Sequence, residues 1–187
     1  MKKISKLNIL NLVFCMTLLI NCGRSGSDST SSSDPVVTGE STTISADGSS
    51  ARFDNDTELQ TSFQGLSVEN TYIADGDNKK IAVSEIALNT RFSIVYEGVK
   101  NFTMKDGKVF PGISIQVTDN DGNTVINEAD QLASHVEGLD EKDASTLRAT
   151  VAASDPIKPG KYIVSVIVTD KNNGNASINS TWSFEVK

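Results

Sequence analysis

Apolar and polar residues alternate with a period of two along much of the C-terminal two thirds of the chain. The segment 177–187 shows this most clearly, because Trp182 and Phe184 share one parity while Thr181 and Ser183 share the other. A period of two indicates a β-strand, since successive side chains of a strand point to opposite faces of its sheet. The segment is therefore predicted to be a strand of an antiparallel sheet with one buried and one solvated face.

Further segments carry related patterns. The alternation recurs at 91–97, 113–118 and 147–151, and each is predicted to be a strand. Residues 162–168 are apolar on both parities, which is typical of a central strand covered on both faces. Weaker patterns predict strands at 60–68, 72–73 and 80–86.

Turn-forming residues separate these segments. Residues 120–123 and 171–175 are rich in Asn, Asp and Gly, which accept positive φ and favour tight hairpins, and 105–108 form a third candidate. Only 128–136 has a pattern compatible with a helical turn. Seven or eight short strands without helices predict an all-β sandwich, because a lone sheet leaves one apolar face unburied.

The N-terminal segment has a different pattern. Lysines at positions 2, 3 and 6 precede an almost unbroken apolar run from 7 to 20, which is typical of a signal peptide and short for a membrane span. The run ends in Leu19-Ile20-Asn21-Cys22. A plain secretory signal and an uncleaved anchor helix are the alternatives.

This ending resembles the lipobox of bacterial lipoproteins, with Asn21 standing where Gly, Ala or Ser is usual. The resemblance implies that 1–21 is a lipoprotein signal peptide, cleaved before Cys22, and that Cys22 carries the lipid. Gly23 follows the cysteine, and in sorted lipoproteins this does not favour retention at the inner membrane. The resemblance therefore implies an outer-membrane lipoprotein, facing either the periplasm or the cell surface.

Residues 22–58 are predicted to be a disordered linker behind the lipid anchor. Serine and threonine dominate this stretch, and its first aromatic residue is Phe53. Such a composition offers too little apolar surface to offset the entropy lost on ordering. The folded domain is accordingly predicted to span 59–187.

The last strands carry a resemblance of their own. The sequence Pro159-Gly160-Lys161-Tyr162, followed by a strand, a hairpin and a final strand at 182–186, is similar to the C-terminal part of bacterial immunoglobulin-like domains. The resemblance covers about thirty residues and implies an immunoglobulin-like β-sandwich. Both cysteines lie in the first 22 residues, so the domain is expected to be free of disulfides.

Charge narrows the classes of partner. The chain has 17 Lys+Arg against 24 Asp+Glu, a net charge of −7. Cleavage before Cys22 would remove three lysines and no acid, leaving a net charge of −10. This balance argues against nucleic-acid binding, which requires basic surface to neutralise phosphates.

Few residues suggest catalytic or metal chemistry. His135 is the only imidazole, and the adjacent Ser134 lacks any nucleophile motif, so His135 is predicted to be a loop residue. The sequence 119–122 begins like a calcium loop, but its glycine comes at the wrong position, and a hairpin turn is the favoured interpretation. No metal, no cofactor and no enzymatic activity are predicted.

One segment combines cationic and apolar residues and is a candidate contact patch. The favoured alternative is that its phenylalanines cover the edge of the sandwich while its lysines discourage edge-to-edge pairing. The patch consists of Lys100, Phe102, Met104, Lys105, Lys108 and Phe110.

Together these features predict a lipid-anchored binding or interaction module of the bacterial cell envelope. Its expected partners are the membrane, through Cys22, and an envelope protein or glycan. Two alternatives stay open: a structural accessory subunit that docks by a sheet edge, and a carbohydrate hydrolase that uses a pair of Asp/Glu carboxylates.

Overall fold

The computed structural model describes residues 40–44 and 49–187 of the chain, which form a β-sandwich. The all-β prediction is confirmed, and the described ranges contain one short helix. The elements are β1 (Glu40–Ile44), β2 (Ser50–Asp54), β3 (Leu59–Gln64), β4 (Asn70–Asp75), β5 (Lys80–Ile81), β6 (Glu85–Ile86), β7 (Arg91–Glu97), β8 (Pro111–Asp119), β9 (Thr124–Glu128), α1 (Glu141–Ala144), β10 (Thr146–Ala152), β11 (Gly160–Asp170) and β12 (Asn173–Val186).

The strands form two sheets. The larger sheet has the order β1-β2-β3-β12-β11-β8-β9, and the smaller has the order β10-β7-β4-β5. Their pairings are antiparallel, except that β6 adds to β12 in parallel. Seven of these strands, β12-β11-β8-β9 facing β10-β7-β4, have the arrangement of an immunoglobulin-like sandwich.

Alternating residues of both sheets meet in a single apolar core. Trp182 lies at its centre, fully buried, with its ring centroid 5.2 Å from that of Phe92 and 5.2 Å from that of Phe184. The indole Nε1 donates a 2.9 Å hydrogen bond to the backbone oxygen of Thr57, so the one polar atom of this side chain is satisfied. The core therefore holds the large sheet against the small one through β12.

Tyr162 ties the entrance of β11 to the preceding loop. Its hydroxyl donates to the backbone oxygen of Lys158 at 2.9 Å and accepts from the backbone N–H of the same residue at 3.1 Å. A tyrosine that hydrogen-bonds to backbone a few residues upstream is the tyrosine corner found in immunoglobulin-like domains. The Pro-Gly-x-Tyr sequence thus occupies the place that the resemblance implied.

The predicted boundary between linker and domain at residue 58 is wrong. Strands β1 and β2 lie within the predicted linker and extend the larger sheet in register, with Thr43 opposite Ala51 and Ala51 opposite Ser62. Backbone hydrogen bonds to the edge of an existing sheet require little apolar surface, which is why composition alone missed these strands. Cys22, the signal peptide at 1–21 and residues 23–39 and 45–48 of the predicted linker lie outside the described residues.

The predicted number of strands, seven or eight, is also too low. The additional strands are β1, β2 and β9, and the single strand predicted at 80–86 is divided into the two-residue strands β5 and β6. Residues 131–134 form turns, and the helix begins further on, at Glu141.

Strand β11 lies in the interior of the larger sheet, as predicted, but one of its faces is open. Ile163 and Ile167 are 42% and 41% exposed, whereas Val164 and Val166 are buried. The predicted hairpins at 120–123, 171–175 and 105–108 are confirmed. At the last of these, Asp106 and Gly107 have φ of 52° and 75°, the positive values that a tight two-residue turn requires.

Candidate functional site

The predicted contact patch does not form one surface. Phe102 is buried in the core and Phe110 is half-buried, so neither ring is available as an exposed anchor. Met104 is 54% exposed and Lys105 lies at the start of the 105–108 turn.

The other two lysines of this patch are engaged in ion pairs. Lys100 pairs with Glu69, and the Lys108 Nζ lies 2.8 Å from Asp140 Oδ1. The hydrogen bond and the charge of Lys100 lower the pKa of Glu69 below its usual value. The burial of Phe102 and the partial burial of Phe110 agree with the alternative interpretation, in which the phenylalanines cover the edge of the sandwich.

The acidic turns are built around their own backbone. In the β8–β9 hairpin, Asp119 Oδ1 accepts the N–H groups of Asp121 at 3.0 Å and Asn123 at 2.8 Å, and Oδ2 accepts the Asn123 side-chain amide. These hydrogen bonds, the Asn123 side chain first, lower the pKa of Asp119. In the β4–β5 turn, Asp75 accepts from Asp77 and Lys79 in the same way. The carboxylates thus stabilise turns.

His135 lies exposed in the turns after β9, as predicted. Among residues 40–44 and 49–187, no three His, Cys, Asp or Glu side chains come close enough to hold a metal ion together.

A surface that the sequence did not single out is the outer face of the larger sheet. We define the outer face as the solvent-facing residues of β1, β2, β3, β12, β11, β8 and β9. It ends at the row in which Ser183, Ile163 and Thr118 lie side by side, and it excludes the next row, which contains Lys161 and Glu185. Its members are uncharged, although charged residues make up 22% of the chain. The outer face comprises Thr43, Ala51, Phe53, Gln60, Ser62, Gln64, Ser114, Gln116, Thr118, Thr124, Asn127, Ile163, Ser165, Ile167, Thr169, Ser177, Asn179, Thr181 and Ser183.

Strand register arranges these side chains in rows across the sheet. Asn179 of β12 lies opposite Ser62 of β3 and Ile167 of β11, and Thr181 lies between Gln60 and Ser165. Paired strands lie about 4.8 Å apart, and alternate residues along a strand are roughly 7 Å apart. The outer face is thus a grid of hydroxyl, amide and aliphatic groups.

Several hydroxyl groups of the outer face are unpartnered. Within the described part of the chain, the side chains of Ser62, Thr181 and Ser183 make no hydrogen bond, whereas Asn179 donates to Ser177 Oγ at 3.2 Å. A hydroxyl is both a donor and an acceptor, and it forms hydrogen bonds with water or with a ligand equally well. These groups are therefore available to a partner.

Two grooves indent the outer face. The larger, about 440 Å³, is lined by Thr118, Ile163 and Ser183 from the outer face and, beyond it, by the charged Glu58, Asp119, Lys161 and Glu185. This volume falls within the range of small-ligand sites.

The smaller groove measures about 270 Å³ and lies toward β1. Gln60, Ser62, Asn179 and Thr181 contribute to its lining. Thr181 in this groove and Ser183 in the larger one are alternate residues of β12, so the two grooves adjoin along that strand.

The free edge of the smaller sheet is partly covered. The Gln131 side-chain amide pairs with the backbone of Thr150 in β10, donating to its oxygen at 2.8 Å and accepting from its N–H at 3.0 Å. Side chains that occupy edge hydrogen-bonding groups discourage the addition of another strand. Docking by a sheet edge is thereby disfavoured at β10.

Comparisons with known proteins add little to this site. No protein family and no curated protein sequence matches the chain. Among solved structures, it is similar to the soluble domain of PmoD from Methylocystis sp. ATCC 49242 (Rockwell), with 10% identity and a TM-score of 0.34, over 73% of this chain and 96% of that one. It is also similar to a cellulose-active polysaccharide monooxygenase from M. thermophila, with 12% identity and a TM-score of 0.33, over 56% of this chain and 53% of that one.

At these levels of similarity no activity or partner can be transferred to this chain. Within the described ranges, no helix is long and apolar enough to cross a membrane.

Proposed function

We propose that this protein is a lipid-anchored binding module of the bacterial cell envelope, held by acylated Cys22 and engaging its partner through the outer face. The observation that carries the binding role is the outer face itself, which is an uncharged grid with unpartnered hydroxyls on an otherwise acidic chain. The sequence before Cys22 supports the anchor. An outer-membrane location is part of the same proposal.

Electrostatics favour a domain that stands away from the bilayer. The chain after cleavage would carry a net charge of −10, and an acidic protein is repelled by an anionic lipid surface. Two or more acyl chains would make attachment lasting, because one chain alone binds only reversibly. Tethering raises the local concentration of the domain near other envelope components, so a modest affinity of the outer face would suffice.

Metabolic labelling with radioactive palmitate tests the anchor. Cells producing the wild-type chain, Cys22→Ala or Cys15→Ala are compared, and the last is a matched control because Cys15 lies in the apolar run. We expect label in the wild type and in Cys15→Ala, and none in Cys22→Ala. Equal labelling of all three would refute acylation at Cys22.

Site-specific photo-crosslinking in intact cells tests the binding surface. A photoreactive amino acid is placed at Thr181, in the centre of the outer face, or at Thr146, which is exposed on β10 of the other sheet. We expect crosslinks to envelope protein or glycan from position 181 that are missing from position 146. Identical patterns from the two positions would contradict a role for the outer face.

A further inference from the structure

We infer that the outer face binds an uncharged polysaccharide chain laid along β12. This inference rests on the proposed function, because it names the chemical class of the partner that the outer face would take. It is carried by the charge, the chemistry and the dimensions of that face.

Charge is the first argument. The centre of the outer face carries no charge, so a charged polymer docked there would lose water around its charges without meeting an opposite charge. The charges at its border are of both signs, with Glu58, Asp119, Lys161 and Glu185 at the larger groove and Arg52 at the smaller one. An uncharged partner avoids this desolvation cost, and charge complementarity therefore favours it.

The mixture of side chains is the second argument. A sugar ring presents hydroxyl groups at its edge and C–H groups on its flat sides. The outer face offers the free hydroxyls of Ser62, Thr181 and Ser183 as donors and acceptors, and Ile163 and Ile167 of the neighbouring β11 as exposed aliphatic contacts.

Dimensions are the third argument. From Asn179 to Ser183 the outer side of β12 runs roughly 13 Å, and from β2 to β9 the paired strands span about 24 Å. The two adjoining grooves continue each other along this strand. An extended chain of several sugar units fits the two grooves along β12 better than a single small molecule does.

A protein partner fits the outer face less well. The buried centre of a protein interface is enriched in aromatic residues, Met and Arg, whereas this face is dominated by Ser, Thr, Asn and Gln. Its one aromatic residue, Phe53, is half-buried. A second copy of the chain would bring the same short polar groups and would bury little apolar area.

Binding of the full chain in detergent to defined glycans tests the inference. The neutral probes are cellohexaose and chitohexaose, with their dimers for comparison, and the anionic probes are polygalacturonate and heparin. We expect calorimetric binding of at least one neutral hexamer, weaker binding of its dimer, and little change in affinity between low and high salt, because no ion pair is formed.

Two matched pairs of variants locate the site. Thr181→Lys places a charge in the centre of the outer face, and Thr146→Lys makes the same change on β10. We expect the first to weaken hexamer binding about tenfold or more and the second to leave it unchanged. Ile163→Ser should likewise weaken binding, whereas Val136→Ser, at an exposed apolar residue of a turn, should not.

The possible failures are distinguishable. Binding restricted to anionic probes, or equal losses from Thr181→Lys and Thr146→Lys, would overturn the neutral-glycan inference. Failure to bind any glycan, together with photo-crosslinks from position 181 to an envelope protein or to a second copy, would overturn it while leaving the proposed function intact. Failure in both experiments would overturn both.

Discussion

The two faces of the larger sheet share one set of strands but differ in what their side chains contribute. On β12, Trp182 and Phe184 point inward and are buried, while Thr181 and Ser183 point outward and are exposed. The inward residues pack against the smaller sheet, whereas the outward residues contact only solvent. Stability and recognition are therefore expected to be separable, residue by residue, along a single strand.

This difference matters because the outer face is unusual for an exposed surface. Exposed faces of soluble proteins normally carry mixed charges, which maintain solubility. Here Asp75 and Asp119 hold hairpins and Lys108 pairs with Asp140, while Arg52, within β2, has the inward parity of its neighbour Thr61. Substitutions on the outer face should consequently alter binding without altering the fold.

The largest contrast is expected between Trp182→Ala and Thr181→Ala. Truncation of the buried indole removes its ring contacts and its hydrogen bond to Thr57, and should reduce the free energy of unfolding by about 3–5 kcal/mol. Thr181→Ala, one residue away on the outer face, should change it by about 0.5 kcal/mol or less.

Urea denaturation followed by far-UV circular dichroism measures both effects. Tryptophan fluorescence cannot serve, because Trp182 is the only tryptophan and the Trp182→Ala variant has none. Comparable losses from the two variants would show that the outer face is covered by some other part of the protein, and the contrast between the faces would then fail.

A subtler contrast involves serines on opposite faces. Ser180 is buried, and its Oγ lies 2.9 Å from Thr61 Oγ1 in a hydrogen bond that crosses from β12 to β3. Ser180→Ala leaves the Thr61 hydroxyl buried without that partner and should cost about 1–3 kcal/mol. Ser183→Ala on the outer face is the matched control and should be close to neutral. A costly Ser183→Ala, measured by the same urea titration, would contradict this assignment of roles.

Much of this fold could be predicted from alternation alone. The parity of Trp182 and Thr181 gives their faces correctly, and the Pro-Gly-x-Tyr sequence indicates the entrance of β11. Strands β1 and β2 could not be predicted, because they gain their order from backbone pairing with β3, which leaves no apolar pattern in the sequence.

The site was harder to predict than the fold. The lysines beside Phe102 and Phe110 predicted a contact patch, but Lys100 and Lys108 form ion pairs with acidic residues distant in sequence, Glu69 and Asp140. The outer face is assembled from short uncharged residues of seven strands, and none of them is distinctive by itself. The sequence does show uncharged residues at successive outward-facing positions of several strands. These positions can be recognised as one surface only when the strand register is known.

A smaller effect is expected at Asp130, whose ion pair with Lys171 lies at the border of the outer face. Desolvation raises the pKa of Asp130, but the hydrogen bond from Lys171 and the backbone N–H groups of Ile113 and Leu132 together lower it below the usual value. A lowered pKa in the folded state contributes stability above the unfolded pKa of about 3.9, and this stability is lost as the pH falls through the folded value.

Asp130→Asn should therefore be less stable than the wild type at neutral pH, by about 1 kcal/mol or less, and the difference should shrink at pH 3. Urea midpoints at both pH values check this. Asp121→Asn is the control, because the Asp121 side chain makes no ion pair in the described ranges. A deficit in Asp130→Asn that persists unchanged at pH 3 would show that its carboxylate charge is not the cause.

The smallest effect is expected at Tyr96, whose hydroxyl is a polar group on the side facing the core. Tyr96 is fully buried, and its hydroxyl makes no hydrogen bond of regular geometry within the described part of the chain. Burial raises its pKa, and a weak interaction with the Ser180 hydroxyl lowers it in part. Because an unpaired buried hydroxyl costs free energy, Tyr96→Phe should leave stability unchanged or raise it by up to about 1 kcal/mol. Tyr162→Phe, which removes a hydroxyl with two backbone partners, should instead be destabilising and provides the control. If Tyr96→Phe lowered the urea midpoint as much as Tyr162→Phe, the Tyr96 hydroxyl would have a partner in solution, and the core side of the sheet would contain a polar network rather than an isolated group.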